Sequence, residues 1–245
     1  MPLRAVIFDV DGTLAETEEA HRAAFNRAFA EAGHCWHWTV DAYRDLLRVT
    51  GGQLRIRAYL DAIGEAATPD EIALLHRRKN RIYADLVESG AVQLRPGVAR
   101  LIAEARRAGL LVAIATTTSR SNIDALLAHA LPQDAVRFDA IFAGEDVTAK
   151  KPDPEVYQKV LAALGIAAGD AIAIEDSRNG LLAATACGIA TVITPSVYSA
   201  GEDFTEARLV TPDLERPRAI DLAALARLID EPDSAEYAVA EIPDG

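Results

Sequence analysis

Residues 4–13 read RAVIFDVDGT, an apolar run that ends in two aspartates and a glycine. Continuous apolar runs of this length are typical of strands buried on both faces of a parallel sheet. Similar runs follow, and helical patterns separate most of them. The predicted strands are residues 4–10, 110–115, 140–143, 171–174 and 190–193, and the predicted helices include residues 98–108, 122–129, 154–164 and 181–187. The pattern predicts an α/β fold with a Rossmann-like parallel sheet, whose ligands bind at the carboxyl ends of the strands.

Residues 17–89 break this alternation, because they show helical periodicity without a convincing buried strand. We predict four helices there, at residues 18–32, 40–48, 54–63 and 69–87. The segment is interpreted as an all-helical cap domain inserted into a core formed by residues 1–16 and 90–230. Residues 231–245 are acidic and contain proline, so we expect them to form a loose C-terminal tail.

Composition excludes several classes of function. The 245 residues are half hydrophobic and one quarter charged, with a formal net charge of −12. Such an acidic chain is a poor candidate for nonspecific binding to nucleic acid or to anionic membranes. The first apolar run is short and carries two aspartates, so we expect neither a secretory signal nor a membrane span. Cys35 and Cys187 are expected to be buried thiols of a reducing compartment, and we predict a cytoplasmic monomer.

The two aspartates after the first strand are the strongest chemical signal. Asp9 is a suitable nucleophile for phosphoryl transfer, because its carboxylate can form an acyl phosphate that water hydrolyses. Asp11 can protonate the leaving alkoxide and then activate that water, while Gly12 permits a tight turn away from the strand. An Asx-rich turn is the alternative explanation. A calcium loop of the EF-hand type is excluded, because the required acidic ligands do not follow.

Three further groups follow later strands, and each has a simpler alternative. Thr116-Thr117-Thr118-Ser119 offers a hydroxyl and backbone N–H groups to phosphate oxygens, or else caps a helix. Lys151, held before Pro152, offers a fixed positive charge, although lysines on loops are usually only solvated. Glu175 and Asp176 are hard oxygen ligands that suit Mg²⁺, whereas a helix cap is the simpler explanation of that stretch.

The order of these groups along the chain is nucleophile, hydroxyl, lysine and acidic pair, which matches metal-assisted phosphoryl transfer. Together they resemble the four motifs of the haloacid dehalogenase superfamily. The resemblance implies that Asp9 is the nucleophile, Asp11 the general acid and base, and that Thr116 and Lys151 bind phosphate. It implies Mg²⁺ held by Asp9, the Asp11 carbonyl and Asp176, with Glu175 close by. The helical insert is similar to the small cap of the β-phosphoglucomutase and phosphoglycolate phosphatase branch.

A closer resemblance is to the CbbY branch, which is associated with the Calvin cycle. It is carried by residues 15–21, 49–52, 76–79 and 116–119, with Tyr43 and residues 36–38. This branch is similar in activity to a phosphatase for xylulose-1,5-bisphosphate, an inhibitor of Rubisco. The resemblance implies substrate contacts at Glu18, Tyr43, Gly51, Gly52, Arg77, Lys79, Thr117, Arg120 and Asn122, and an influence of His21 on the protonation of Asp11.

The residues themselves agree with a bisphosphate in one respect, since such a substrate needs a second anion site. Residues 76–79 read HRRK and form the densest cationic cluster of the chain, so we expect one or two of these side chains to face the cleft. A solvated helix face is the alternative for each of them. Gly51 and Gly52 either bind the distal phosphate or link two helices, and Glu18 either accepts from sugar hydroxyls or is an ordinary acid of a first helical turn.

Other functions stay open at this point. A smaller substrate such as phosphoglycolate would suit the same chemistry. A mutase would return the phosphate to another hydroxyl, and its cap must exclude the water that a phosphatase admits. A noncatalytic binding module is the remaining class, and the intact Asp9, Asp11, Lys151 and Asp176 argue against it.

Overall fold

A parallel sheet of six strands lies at the centre of the computed structural model, which describes residues 3–130 and 137–230. The strands are β1 (Ala5–Phe8), β2 (Leu111–Ala115), β3 (Ala140–Phe142), β4 (Ala171–Glu175), β5 (Ala190–Ile193) and β6 (Leu209–Val210). Their order across the sheet is β3-β2-β1-β4-β5-β6, and every adjacent pair is parallel. The predicted α/β fold with a Rossmann-like sheet is confirmed.

Four helices occupy the segment that we interpreted as a cap. They are α1 (Glu18–Glu31), α2 (Val40–Leu46), α3 (Gly52–Ile63) and α4 (Pro69–Glu88). The start of α4 follows from sequence, because Thr68 and Glu71 form a reciprocal capping box around Pro69. Buried side chains of α1 and α4, such as Ala24 and Ile82, belong to the same apolar cluster as the sheet. These helices are therefore attached to the sheet by continuous apolar packing.

The remaining helices cover the two faces of the sheet. They are α5 (Val98–Arg107), α6 (Arg120–Ala130), α7 (Glu155–Leu164), α8 (Arg178–Ala186) and α9 (Leu222–Asp230). Alternate residues of each strand point to opposite faces. Val6 and Phe8 accordingly pack in one cluster with α5, α6 and α9, whereas Ala5 and Ile7 pack in another with α7 and α8. This three-layer arrangement leaves the carboxyl ends of the strands free to carry polar groups.

The structure differs from the sequence-based expectations at several places. Strand β6 and helix α9 were not predicted, and α8 begins three residues earlier than expected, where the Ser177 hydroxyl accepts from the Gly180 N–H at 3.3 Å. The expected tail, residues 231–245, lies outside the described residues. Cys35 is exposed and Cys187 is partly buried, so the expectation of two buried thiols was wrong. Among the helices of the described chain, none is both long and apolar enough to span a membrane.

Candidate active site

The carboxyl ends of the three central strands meet at one edge of the sheet, and polar side chains follow each of them. Asp9 follows β1, Thr116 follows β2 and Asp176 follows β4. The backbone N–H of Asp9 donates to the Ile174 carbonyl at 3.0 Å, which extends the sheet to the aspartate itself. These residues line one cavity between the sheet and the helices of residues 17–89. The fold thus brings together side chains that are far apart in sequence.

Lys151 connects the first and fourth strands through a buried ammonium group. Its Nζ donates to Asp9 Oδ1 and to Glu175 Oε1, each at 2.6 Å, and to the Ala115 carbonyl at 2.8 Å. Burial alone would lower the pKa of this lysine, but the two carboxylates raise it above its ordinary value. Lys151 therefore carries a fixed positive charge beside the predicted nucleophile.

The carboxylates at this edge outnumber the cations that contact them. Asp9, Glu175 and Asp176 each place an oxygen within 4.8 Å of the others, and all three are buried. Burial raises the pKa of Asp9 to about 7 against the opposing effect of Lys151, and burial and the neighbouring acids raise the pKa of Asp176 well above its usual range. Three buried acids around one lysine leave negative charge that a divalent cation would offset. Oxygen donors of this kind fit Mg²⁺.

Gly12 allows the backbone to approach this acidic cluster closely. Its φ of +79° belongs to the left-handed region, and a Cβ at this position would lie 2.2 Å from Asp176 Oδ2. A larger residue would push the acidic side chain out of the cluster. The turn after β1 therefore requires glycine for two independent reasons.

Glu175 is directed toward Lys151 rather than into the cavity. Its Oε1 accepts from Lys151 and from the Tyr157 hydroxyl, at 2.6 Å in each case. Its Oε2 is buried and accepts no hydrogen bond within the described chain. A Cβ on Gly180 would lie 1.9 Å from that oxygen, so the helix backbone packs directly against the carboxylate. The residue predicted as a nearby metal ligand is held so that it orients the lysine.

Asp11 is linked to the cap by a chain of hydrogen bonds. Its Oδ1 accepts from the Thr17 hydroxyl at 2.6 Å and contacts His21 Nε2 at 2.9 Å, while Lys79 Nζ lies 2.7 Å from His21 Nδ1. Burial and Lys79 lower the pKa of His21, so we assign a neutral ring that accepts at Nδ1 and donates from Nε2. Burial would raise the pKa of Asp11, but the contacts with His21 and Thr17 hold this pKa below its usual value.

The cap side of the cavity carries further predicted residues. Glu18, Gly51, Gly52 and Lys79 line it, as do Thr117 and Asn122 on the core side. Burial lowers the pKa of Lys79 to about 7. The neighbouring His76 also lines the cavity, but burial and the charge of Lys79 lower its pKa to about 3, so it is neutral.

Three of the predicted substrate contacts do not line the cavity. Tyr43 is fully buried beneath it, and its hydroxyl donates to Glu18 Oε2 at 2.8 Å. Arg77 is exposed and lies in a surface hollow with other residues of α1 and α4, because it is about 100° around the helix from its neighbour His76. Arg120 is exposed and pairs with Asp124 at 3.1 Å. The cationic run of α4 therefore contributes Lys79 to the cavity but not Arg77.

Sequence reasoning missed other residues of the cavity. Arg55 lines the cavity and is, with Lys79, a second cation of the cap wall. Its guanidinium donates to the Tyr43 hydroxyl at 3.1 Å. Its signal was available, since Arg55 lies one turn after Gly51 on the same helix. Asn179 donates to Thr50 Oγ1 at 3.2 Å across the cavity. Tyr198 lies on a loop, and no periodicity points to it.

Comparisons with known proteins agree with this geometry. A family model described as haloacid dehalogenase-like hydrolase matches residues 3–188. The chain is 48% identical over 215 residues to Protein CbbY of Rhodobacter capsulatus, which covers 87% of this chain and 95% of that protein. It is 50% identical over 221 residues to the CbbY protein encoded on a plasmid of Cupriavidus necator, with 88% and 87% covered.

Solved structures give the same result. The crystal structure of CbbY from Rhodobacter sphaeroides in complex with phosphate is 42% identical, with a TM-score of 0.84 and coverage of 91% of this chain and 99% of that one. An aspartate-to-asparagine mutant of the same protein, in complex with xylulose-1,5-bisphosphate, matches equally well. A β-phosphoglucomutase from Clostridium difficile, 19% identical with a TM-score of 0.78 and coverage of 94% and 98%, shares the fold.

Proposed function

The chain belongs to the haloacid dehalogenase-like hydrolases, and we propose that it is a Mg²⁺-dependent phosphatase that hydrolyses xylulose-1,5-bisphosphate through an aspartyl-phosphate on Asp9. That the protein is a phosphomonoester hydrolase follows from its family and its phosphatase-named relatives. The substrate, the cofactor and the covalent step are the parts that we propose. In this proposal residues 17–89 act as the cap, and residues 1–16 and 90–230 act as the core.

One observation carries the choice of a bisphosphate, namely that a single cavity has cationic groups on both of its walls. Lys151 lies on the core side, and Arg55 and Lys79 lie on the cap side. A substrate with one phosphate would use only the core cation, whereas a bisphosphate would use both sets. In a chain with a net charge of −12, such local cations are needed to attract a dianion.

The first chemical step would form a bond between the Asp9 carboxylate and the phosphorus, with release of the sugar alkoxide. Lys151, within 2.6 Å of Asp9, would neutralise charge on the nucleophile and the phosphoryl oxygens. Thr116 would bind another phosphoryl oxygen. Mg²⁺, held by Asp9, Asp176 and the Asp11 carbonyl, would add further charge neutralisation when bound.

Asp11 would donate a proton to the leaving alkoxide and take one from the water that hydrolyses the acyl phosphate. The proton taken from water would restore the acid for the next turnover, and the hydrogen bonds from Thr17 and His21 would hold the carboxyl group in place. Thr17 and His21 both belong to the cap, so these hydrogen bonds form only when the cap lies against the core.

The relatives support the particular sugar. The CbbY structure with xylulose-1,5-bisphosphate bound belongs to a protein 42% identical to this chain over almost its full length. The hydrogen bond from buried Tyr43 holds the Glu18 carboxylate on the cap wall, where it can accept hydrogen bonds from sugar hydroxyls. If the proposal holds, the protein would remove an inhibitor of Rubisco and so assist the Calvin cycle.

The proposal is tested by phosphate release in Mg²⁺ from xylulose-1,5-bisphosphate, ribulose-1,5-bisphosphate, phosphoglycolate and β-glucose-1-phosphate. We expect a strong preference for the xylulose compound over its ribulose epimer, and loss of activity with a chelator that added Mg²⁺ restores. A preference for phosphoglycolate, or equal rates on all four, would reject the sugar bisphosphate. Conversion of the glucose phosphate to an isomer without phosphate release would show a mutase instead.

A further inference from the structure

One side chain of the core lies inside the hydrophobic cluster of the cap. Tyr198 belongs to the loop between β5 and β6, yet it packs in a cluster whose other buried members all lie within residues 17–89. Its ring meets that of Tyr43 edge-on, with 5.5 Å between the centroids. Only 7% of Tyr198 is exposed. A core residue thus completes the packing of the cap.

The hydroxyl of the same tyrosine adds a polar contact to the cap. It donates to Glu19 Oε2 at 2.5 Å, and Glu19 lies in the first turn of α1. Arg22, one turn further along, donates to the same carboxylate and fixes it. Burial and the hydrogen bond to Glu19 raise the pKa of Tyr198 to about 12, so the hydroxyl keeps its proton as a donor.

The loop that carries Tyr198 is anchored to the core beside the acidic cluster. The Ser199 hydroxyl donates to the backbone carbonyl of Asp176 at 2.6 Å, and the Ser196 N–H donates to the Ser199 hydroxyl at 2.9 Å. The preceding carbonyl of Pro195 accepts from buried Arg95 at 2.9 Å. The backbone of Tyr198 is therefore fixed relative to Asp176, and its ring is fixed relative to the cap.

The contact at Tyr198 is much smaller than the apolar attachment of the cap to the sheet. The apolar cluster that joins α1 and α4 to the sheet is continuous and includes Ala24, Ala28, Ile82 and Tyr83. Tyr198 supplies one ring and one hydrogen bond, and it lines the cavity itself. Separation of the cap from the core would therefore begin at small contacts such as that of Tyr198, and it would open the cavity there.

We propose that Tyr198 is a positioning residue that holds the cap against the core, so that a substrate meets the core acids and the cap cations together. The inference rests on the proposed function, in which the cap binds the distal phosphate. A ligand that needs both walls binds only the closed population, and its apparent affinity falls in proportion to that fraction. The affinity for a small phosphomonoester that contacts only the core does not depend on the closed population in this way.

The test compares Tyr198→Phe and Tyr198→Ala with wild type on xylulose-1,5-bisphosphate and on p-nitrophenyl phosphate. Tyr59→Ala is the matched control, because Tyr59 packs edge-on against Trp38 in the same cluster but does not line the cavity. We expect KM for the bisphosphate to rise about fivefold in Tyr198→Phe and about twentyfold or more in Tyr198→Ala, with kcat nearly retained, since saturating substrate restores closure. KM for p-nitrophenyl phosphate should stay unchanged, and Tyr59→Ala should leave the ratio of the two KM values as in wild type.

Three results would overturn the inference. They are an equal rise of KM for the two substrates, a fall in kcat at unchanged KM, and a Tyr59→Ala variant that behaves like Tyr198→Ala. Tyr198→Phe keeps the ring in the cluster, so it separates loss of the hydrogen bond from loss of packing. Failure of wild type to hydrolyse the bisphosphate would reject the proposed function instead. The same comparison would then be made on whichever sugar phosphate the protein hydrolyses best.

Discussion

Replacing Arg55 with alanine tests whether the cap wall binds a distal phosphate. Arg55 is the cavity cation that sequence reasoning missed, and its side chain is partly buried. A hydrogen bond to a charged group contributes about 1.5–3 kcal/mol, and partial exposure places Arg55 at the lower end. At about 1.4 kcal/mol for each factor of ten, we expect KM for the bisphosphate to rise about tenfold. KM for a monophosphate should change little.

The matched control is Arg77→Ala, which removes the same charge from an exposed position outside the cavity. Both variants would be assayed by phosphate release on xylulose-1,5-bisphosphate and p-nitrophenyl phosphate, and their thermal unfolding would be compared with wild type. Tyr43 loses a donor in Arg55→Ala but keeps its own bond to Glu18, so the cap cluster should remain folded. The reasoning is refuted if Arg77→Ala raises the bisphosphate KM as much as Arg55→Ala, or if Arg55→Ala affects the two substrates equally.

Three further expectations concern the chemistry and the packing of the site. Asp9→Asn should eliminate turnover, since no other described group occupies the position of the nucleophile. Substrate binding measured by calorimetry and the unfolding temperature should persist. Retained turnover would reject the covalent step. Because the pKa of Lys79 lies near 7, its charge is present below that pH and lost above it. The ratio of bisphosphate KM to monophosphate KM should therefore rise above about pH 7 in wild type and stay flat in Lys79→Met. A flat ratio in wild type would show that Lys79 does not bind phosphate. Gly180→Ala should destabilise the protein by about 1–3 kcal/mol in denaturant unfolding and reduce kcat, because its Cβ would displace the Glu175 carboxylate; wild-type values of both would contradict the close contact.

The fold was largely predictable from local pattern. Apolar runs predicted most of the strands, and strong caps predicted helices such as α4 at Thr68. Both signals lie within a few residues of the element that they predict. Strand β6 is only two residues long and gives a weak pattern at the edge of the sheet. Helix α9 has a clear amphipathic pattern after Asp221, whose carboxylate accepts from the Ala224 N–H at 2.7 Å, so its signal was present and was missed. Short edge elements depend on contacts that a single sequence does not reveal.

Some residues of the candidate site were predictable from local pattern and others were not. Asp9, Asp11, Lys151 and Asp176 were identifiable, since acids and a lysine at strand ends are costly unless they serve a purpose. The face of α4 that reaches the cavity was not resolved by composition, so Arg77 was predicted although it lies outside the cavity, and Arg55 of α3 was missed. Tyr157 and Tyr198 act through contacts with residues at least 18 positions away in sequence, which no spacing rule detects.

The central position of β1 has a consequence for how the chain acquires its structure during synthesis. β1 lies between β2 and β4, so its second neighbour is translated only with residues 171–175. Asp9 and Lys151 are separated by 142 positions, so their ion pair also waits for a late part of the chain. The helices of residues 18–88 are synthesised well before the sheet can close. During that interval the apolar first strand stays exposed, and it is the segment that a chaperone would be expected to bind.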